Sequence, residues 1–246
     1  MKFIKPIAFI LLTAILVSWT KLTPIKVYMI GDSTMANKSP GVYPETGWGQ
    51  VFKEYFTGDV TIDNRAQNGR STKSFINEKR WDDVMSTLQA GDYVIIEFGH
   101  NDEKVEKPNT GTTIDEFKAN LLKFVTDARG KGATPILMTP VTRRSFKDGV
   151  LTNSHGLYPD AVRDVATKNN VAFVDMLQKS EKLVKAMGEA PSQSLWNWAD
   201  SGVYKGFPKG VKDNTHFNPT GAHKMAELAV EGLKELKLPL TAYLKP

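Results

Sequence analysis

The sequence predicts one α/β domain with a parallel β-sheet between two layers of helices. Five short apolar runs recur along the chain, at 27–30, 60–66, 93–98, 134–139 and 171–174, and segments with helical spacing of apolar residues separate them. Strands that alternate with helices form parallel sheets whose crossovers cover both faces. No change of composition marks a second domain. Five such strands favour a flavodoxin-like sheet with the order 2-1-3-4-5.

The helices are predicted from periodicity and from their end signals. Apolar residues such as Ile114, Phe117 and Leu121 recur at helical spacing over 113–129, and Ser71 or Thr72 is a candidate N-cap for a helix over 73–88. Further helices are predicted at 47–56, 158–169, 177–187 and 219–236. Residues 189–211 are predicted to be a long irregular insertion, and the sequence leaves open whether it closes over a site.

Composition excludes several classes of function. The 246 residues contain no cysteine, which rules out a disulfide scaffold, a thiolate nucleophile and a cysteine-ligated metal. The formal net charge is only +5, and no run of Lys or Arg is long enough to track a phosphate backbone. A nucleic-acid partner is therefore not expected. The sequence does not determine the oligomeric state, for which a monomer is the expectation.

The first residues are predicted to be an export signal. A short basic start that contains Lys2 and Lys5 precedes an apolar run from Ile7 to Trp19, which is short for a membrane span. We therefore expect a signal peptide over 1–22, a folded domain over 23–246, and a secreted or periplasmic protein. No membrane association is expected beyond the export signal.

Five residues are predicted to meet at one edge of the sheet. Ser33, Gly69 and Asn101 follow the first, second and third predicted strands, and Asp213 and His216 precede the last helix. Open parallel sheets hold their ligands at the carboxyl ends of the strands. Each residue also has a structural interpretation, because strand ends often carry turn or cap residues.

Their chemistry matches acyl transfer to serine. A serine hydroxyl needs a base within hydrogen-bond reach, and the base needs an orienting partner. His216 is the candidate base and Asp213 the candidate orienter. The backbone N–H groups of Ser33 and Gly69 and the Asn101 amide are candidate donors to an oxyanion.

The same residues carry a resemblance to a known superfamily. Gly31-Asp32-Ser33, Gly69, Gly99-His100-Asn101-Asp102 and Asp213-x-x-His216 resemble, in order, the four blocks of the SGNH (GDSL-type) hydrolases. Gly-Asp-Ser-Thr-Met-Ala at 31–36 and Gly-Trp-Gly at 47–49 resemble the rhamnogalacturonan acetylesterase branch. The resemblance implies Ser33 as nucleophile, His216 as base, Asp213 as its partner, and Ser33, Gly69 and Asn101 as the oxyanion hole. It implies no metal and no organic cofactor.

Substrate-binding residues are predicted from charge and aromaticity. Arg70, Arg143 and Arg144 are candidates to pair with uronate carboxylates of an acetylated acidic polysaccharide. Trp196 and Trp198 alternate, so an extended segment would place both on one face as a platform for sugar rings. The alternatives are solvated surface arginines and tryptophans that cover the core.

The function expected from the resemblance is a secreted serine esterase that removes O-acetyl groups from rhamnogalacturonan through an acetyl-serine intermediate. Three alternatives remain open. The enzyme could act on lipid acyl esters or thioesters, although the loops around the predicted site are polar and aromatic. The chain could be a noncatalytic carbohydrate-binding module, or its first turn could bind phosphate.

Overall fold

The computed structural model describes residues 24–246, and the predicted signal at 1–22 lies outside the described residues. Its strands, in chain order, are β1 (Ile25–Gly31), β2 (Val60–Asn64), β3 (Tyr93–Glu97), β4 (Thr134–Met138), β5 (Phe146–Lys147), β6 (Val150–Leu151), β7 (Ala172–Val174), β8 (Trp196–Ala199) and β9 (Val211–Phe217). Its helices are α1 (Trp48–Val51), α2 (Thr72–Asn77), α3 (Arg80–Thr87), α4 (Ile114–Gly130), α5 (Tyr158–Lys168), α6 (Met176–Met187), α7 (Glu189–Ser192) and α8 (Pro219–Leu236).

The main sheet has five parallel strands in the order β2-β1-β3-β4-β7, which confirms the predicted architecture and strand order. Gly31, the last residue of β1, is level with Glu97, the last residue of β3. The turns that carry Ser33 and Asn101 therefore leave the sheet side by side.

The sheet separates two hydrophobic clusters. Val27, Met29 and Ile95 face one layer, which includes α1, α6 and α8. Their strand neighbours face the other layer, which includes α2 to α5. The central strands are thus buried on both faces, and each large apolar side chain buried there contributes roughly 1.5–3 kcal/mol. This burial explains why they read as continuous apolar runs.

The segment predicted as one helix over 73–88 is two helices, α2 and α3. The break occurs at Lys79, which adopts a left-handed backbone with φ of 57°. Ser71 caps α2 as predicted, because its hydroxyl accepts from the Ser74 N–H in a reciprocal capping box. Among residues 24–246, no helix is both long enough and apolar enough to cross a bilayer.

The predicted irregular insertion at 189–211 is mostly ordered structure, which corrects that prediction. It contains α7, a 3-10 turn at 193–195 and β8, and β8 pairs antiparallel with β9. Only residues 200–210 form the loop between these strands. The sequence predicts no strand over β9, because the polar residues Lys212, Asp213 and Asn214 hide any apolar alternation. The small hairpin of β5 and β6 also lacked a sequence signal.

Candidate active site

An irregularity in the β8–β9 pair presents two of the predicted catalytic side chains. Trp196 pairs with Phe217 and Trp198 with Lys212, so Asn197 alone lies opposite the four residues 213–216. Extra residues on one strand bend it and redirect its side chains. The Thr215 and His216 N–H groups donate to Asp213 Oδ1 at 2.7 and 3.0 Å. Asp213 thus stabilises the turn that carries His216.

The structure brings Asp213, His216 and Ser33 into one hydrogen-bonded line. His216 Nδ1 lies 2.7 Å from Asp213 Oδ2, and His216 Nε2 lies 2.8 Å from Ser33 Oγ. With its Nδ1 proton directed at the carboxylate, His216 offers the Nε2 lone pair to the serine hydroxyl. Burial alone would raise the pKa of Asp213, but the bonds and charge of His216 lower it. The carboxylate is therefore available to stabilise a histidine cation.

Ser33, the predicted nucleophile, lies in a turn that the side chain of Asp32 stabilises. The Asp32 carboxylate accepts from both the N–H and the hydroxyl of Thr34, each at 2.9 Å. Asp32 is fully buried, whereas Ser33 is partly exposed. Asp32 therefore stabilises the turn from its buried side, and Ser33 lies on the side that solvent reaches.

The three predicted oxyanion donors lie in the turns that follow the first three strands of the sheet. Gly69 has a φ of 76°, a conformation that favours glycine. Within the described chain, the N–H groups of Ser33 and Gly69 donate no hydrogen bond. Asn101 Nδ2 donates to the Arg70 carbonyl at 3.0 Å, which ties the β3 loop to the Gly69 loop. Since an amide nitrogen has two protons, Asn101 keeps one for a ligand.

A buried acidic cluster underlies the nucleophile turn. Glu97 is fully buried and accepts from Trp48 Nε1 at 3.0 Å and from the Val141 N–H at 3.2 Å. Burial, together with the charge of Asp32, raises the pKa of Glu97 to about 8. Burial would also raise the pKa of Asp32, but His100, 3.3 Å away, and the Thr34 hydrogen bonds hold it well below the usual 3.8. The cluster therefore contains one ionised carboxylate and one protonated carboxyl at neutral pH.

His100 completes this cluster without reaching the reacting atoms. Burial lowers the pKa of His100 to about 4, although the Asp32 carboxylate opposes this shift. The imidazole is thus neutral and packs edge-on against His155. Asp102, the last residue of the predicted third block, accepts from the Thr72 N–H at 3.0 Å and joins the β3 loop to α2. Burial raises the pKa of Asp102 to about 7.

Residues 29–224 match the GDSL-like lipase/acylhydrolase family. The chain belongs to this family. It is therefore a carboxylic ester hydrolase.

Two curated relatives extend over nearly the whole esterase. Rhamnogalacturonan acetylesterase RhgT of Bacillus subtilis (strain 168) is 39% identical over 222 residues, 90% of this chain and 94% of the relative. A probable rhamnogalacturonan acetylesterase, YesY, from the same organism is 34% identical and covers 87% of this chain and 95% of its own.

Solved structures show the same fold at lower identity. The esterase superposes on the YXIM protein of Bacillus subtilis with a TM-score of 0.75 and 24% identity, over 89% of this chain and 58% of that one. It superposes on Axe2, an acetylxylan esterase from Geobacillus stearothermophilus, with a TM-score of 0.63 and 18% identity, over 89% and 96%.

The three predicted substrate-binding arginines of the esterase all have partners within the chain. Arg70 Nε donates to Glu78 at 3.0 Å, and Arg143 Nη2 lies 2.5 Å from Glu103. Arg144 is only 8% exposed and donates to the Glu189 carbonyl. Their guanidinium groups mainly stabilise loops around the site.

The predicted tryptophan platform is wrong for Trp196. Its side chain is fully buried and packs against Phe217. The register shift between Trp196 and Trp198 explains the error, because it breaks the alternation that would have placed both on one face. Trp198 remains partly exposed, with the Arg144 guanidinium 5.4 Å and the Lys212 ammonium 5.7 Å from its ring centre.

Sequence reasoning missed three polar residues of the esterase site: Lys38, Glu97 and Lys104. Lys38 Nζ donates to Asn68 Oδ1 at 2.8 Å, and Lys104 Nζ donates to Asn101 Oδ1 at 2.7 Å. A carboxylate inside the apolar run 93–98 was the available signal for Glu97. Over residues 24–246, no group of three or more His, Asp or Glu side chains could hold a metal ion.

Proposed function

We propose that this protein is a serine esterase that removes O-acetyl groups from pectic polysaccharide, with rhamnogalacturonan as its substrate. The observation that carries the proposal is the line from Asp213 through His216 to Ser33, with bonds of 2.7 and 2.8 Å, beside three available donors. The substrate is inferred from the names of the relatives at 39% and 34% identity, which match almost end to end.

The proposed reaction starts with Ser33. Its Oγ attacks the acetyl carbonyl while His216 Nε2 takes the hydroxyl proton, and Asp213 stabilises the resulting imidazolium. The Ser33 and Gly69 N–H groups and Asn101 Nδ2 donate to the oxyanion that forms. As the tetrahedral intermediate collapses, the proton on His216 passes to the departing sugar oxygen. Acetyl-Ser33 remains, and water activated by His216 hydrolyses it to acetate.

The surroundings of the site favour a sugar over a long acyl chain. A cavity of about 550 Å³ is lined by residues that follow the nucleophile and the base in the chain, including Lys38, Tyr43, Gln50 and Pro219. Tyr43 is 54% exposed and contacts Tyr204 edge-to-face, so its ring is available for stacking on a sugar. The exposed tyrosine ring beside Lys38 and Gln50 suits a sugar, which can stack on it, whereas a fatty acyl chain requires a deep apolar channel.

The test is acetate release from acetylated rhamnogalacturonan by the wild type and by Ser33→Ala. Ser86→Ala is the matched control, because Ser86 is an exposed serine of α3 that lies outside this cavity. We expect release by the wild type and the control, and loss in Ser33→Ala. p-Nitrophenyl acetate and a long-chain p-nitrophenyl ester are assayed in parallel. Activity confined to the long-chain ester would refute the carbohydrate substrate, and release that survives in Ser33→Ala would refute the nucleophile.

The proposal includes export of the enzyme, since its polymeric substrate lies outside cells. The apolar run from Ile7 to Trp19 after a basic start supports export. Expression with and without residues 1–22, followed by fractionation, tests it. Retention of both forms inside the cell would contradict export.

A further inference from the structure

Lys104, a cation beside the proposed oxyanion donor Asn101, has no carboxylate partner within the described residues. Lys104 lies in the loop after β3, and its ammonium donates to Asn101 Oδ1 at 2.7 Å. The described residues form 18 ion pairs, and none of them includes Lys104. By contrast, Lys38 lies 2.7 Å from the Glu45 carboxylate, and its side chain is 1% exposed. Lys104 is therefore the cation with unused charge next to an oxyanion donor.

The nearby acids are already occupied. Both carboxylate oxygens of Glu103 are engaged, one 2.5 Å from Arg143 Nη2 and the other 2.9 Å from His155 Nδ1. Asp32 is buried against Thr34. None of these groups can move to neutralise Lys104 without breaking an existing pair.

The ammonium is held where a counter-ion would stabilise it. Burial, followed by the charges of Lys107 and Arg143, lowers the pKa of Lys104. A lowered lysine pKa means that the local environment disfavours the charged form. A carboxylate from a ligand would reverse this effect and gain a charge-assisted hydrogen bond.

Lys104 is also within reach of the sugar that would carry the ester. Asn101 accepts from Lys104 with its Oδ1 and donates to the Arg70 carbonyl with its Nδ2. In the proposed mechanism, the second Nδ2 proton is donated to the oxyanion. The path from Lys104 Nζ to the acetyl oxygen therefore consists of a hydrogen bond, the Asn101 amide group and a second hydrogen bond. The two end atoms are then about 7 Å apart. A hexuronate carries its carboxylate on the same ring as its acetylated hydroxyls. Such a ring, with its acetyl group at Ser33, can direct the carboxylate towards Lys104.

We propose that Lys104 binds the carboxylate of the acetylated uronate and makes the esterase selective for acidic over neutral acetylated sugars. This inference rests on the proposed acetylesterase function and adds a specificity-determining residue to it. It gives to Lys104 the role that the sequence suggested for three arginines. Arg70 and Arg143 are paired with carboxylates, and Arg144 is buried with its guanidinium donating to the Glu189 carbonyl.

The test compares Lys104→Met with the wild type on two forms of one substrate. The first is an acetylated pectic oligosaccharide with free carboxylates, and the second is the same oligosaccharide after its carboxylates are reduced to alcohols. We expect kcat/KM on the acidic form to fall roughly 10- to 100-fold in Lys104→Met, as for loss of a hydrogen bond to a charged group. On the reduced form and on p-nitrophenyl acetate, the fall should be only a few-fold, from looser positioning of Asn101.

Two further variants make the comparison specific. Lys107→Met removes the same charge from an exposed position of the same loop and should preserve the acidic preference. Lys104→Arg keeps the charge and should retain part of that preference. Added salt should lower kcat/KM on the acidic form more steeply for the wild type than for Lys104→Met.

The outcomes separate the two proposals. An equal loss on the acidic and reduced forms would overturn the inference, because Lys104 would then act only through Asn101. A wild type that hydrolyses p-nitrophenyl acetate but neither oligosaccharide would refute the proposed function, and it would do so without any variant. Activity of Lys104→Met on p-nitrophenyl acetate shows that this variant is folded.

Discussion

Asp213→Asn isolates the role of the orienting carboxylate. The substituted side chain keeps Oδ1, which accepts from the Thr215 and His216 N–H groups, so the turn between β8 and β9 should persist. What changes is the atom 2.7 Å from His216 Nδ1, which becomes an amide N–H donor. Two donors cannot face each other, so the ring must place its proton on Nε2. That proton then points at Ser33 Oγ, 2.8 Å away, and His216 can no longer act as base.

The expected loss is large and specific to the chemistry. In serine hydrolases, removal of the orienting carboxylate with preserved geometry lowers kcat by roughly 10⁴. This corresponds to about 5 kcal/mol at 1.36 kcal/mol per tenfold change. The assay is kcat on p-nitrophenyl acetate at neutral pH, with the thermal midpoint measured beside it. We expect a small change in the midpoint, because both backbone hydrogen bonds remain.

Asp200→Asn is the matched control, since Asp200 is an exposed aspartate of the same hairpin. It should retain wild-type kcat. If Asp213→Asn lowered kcat by less than tenfold, the proposed division of roles between Asp213 and His216 would be wrong. If it unfolded the protein, the carboxylate charge that faces His216 Nδ1 would matter more for stability than the geometry indicates.

Three other perturbations follow from the structure. Asn101→Ala removes one oxyanion donor and should lower kcat on p-nitrophenyl acetate roughly 10²–10³-fold; a KM effect alone would contradict that role. Glu97→Gln should flatten the dependence of unfolding free energy on pH. An acid whose pKa rises from 4.5 to about 8 on folding stabilises the native state most below pH 4.5 and loses that contribution as pH rises towards 8. Urea unfolding at several pH values measures this slope, and parallel wild-type and Glu97→Gln profiles would argue against a protonated Glu97. Trp196→Ala should destabilise the fold by about 3–5 kcal/mol, whereas Trp198→Ala should mainly raise KM for the polysaccharide; the reverse pattern would contradict their burial.

The main sheet and the positions of the strand-end residues could be predicted from the sequence because both depend on local signals. Apolar runs marked the parallel strands, and parallel topology alone placed Ser33, Gly69 and Asn101 at one edge. The sequence also pairs Asp213 with His216 as orienter and base, and the structure places Asp213 Oδ2 2.7 Å from His216 Nδ1.

The environment of the site could not be predicted, because it depends on pairs far apart in the chain. The ion pair of Arg143 with Glu103 joins separate loops, so the sequence does not show that this arginine already has a partner. The Trp196 error has a similar origin, since a register shift in a strand pair has no signature in either strand alone.

The irregular pair of β8 and β9 bears on how this enzyme loses activity on heating. The proposed base and its orienter lie on one short hairpin, whereas the proposed nucleophile lies 183 residues away on the main sheet. Detachment of the hairpin would remove Asp213 and His216 together and leave Ser33, Gly69 and Asn101 in place. Thermal inactivation would then begin as a local opening, before the sheet melts. Two contacts resist this opening: the bridge between Thr46 and Phe217, and the close packing of Leu195 against Gly221. Stabilising substitutions at these contacts would therefore slow thermal inactivation of the enzyme.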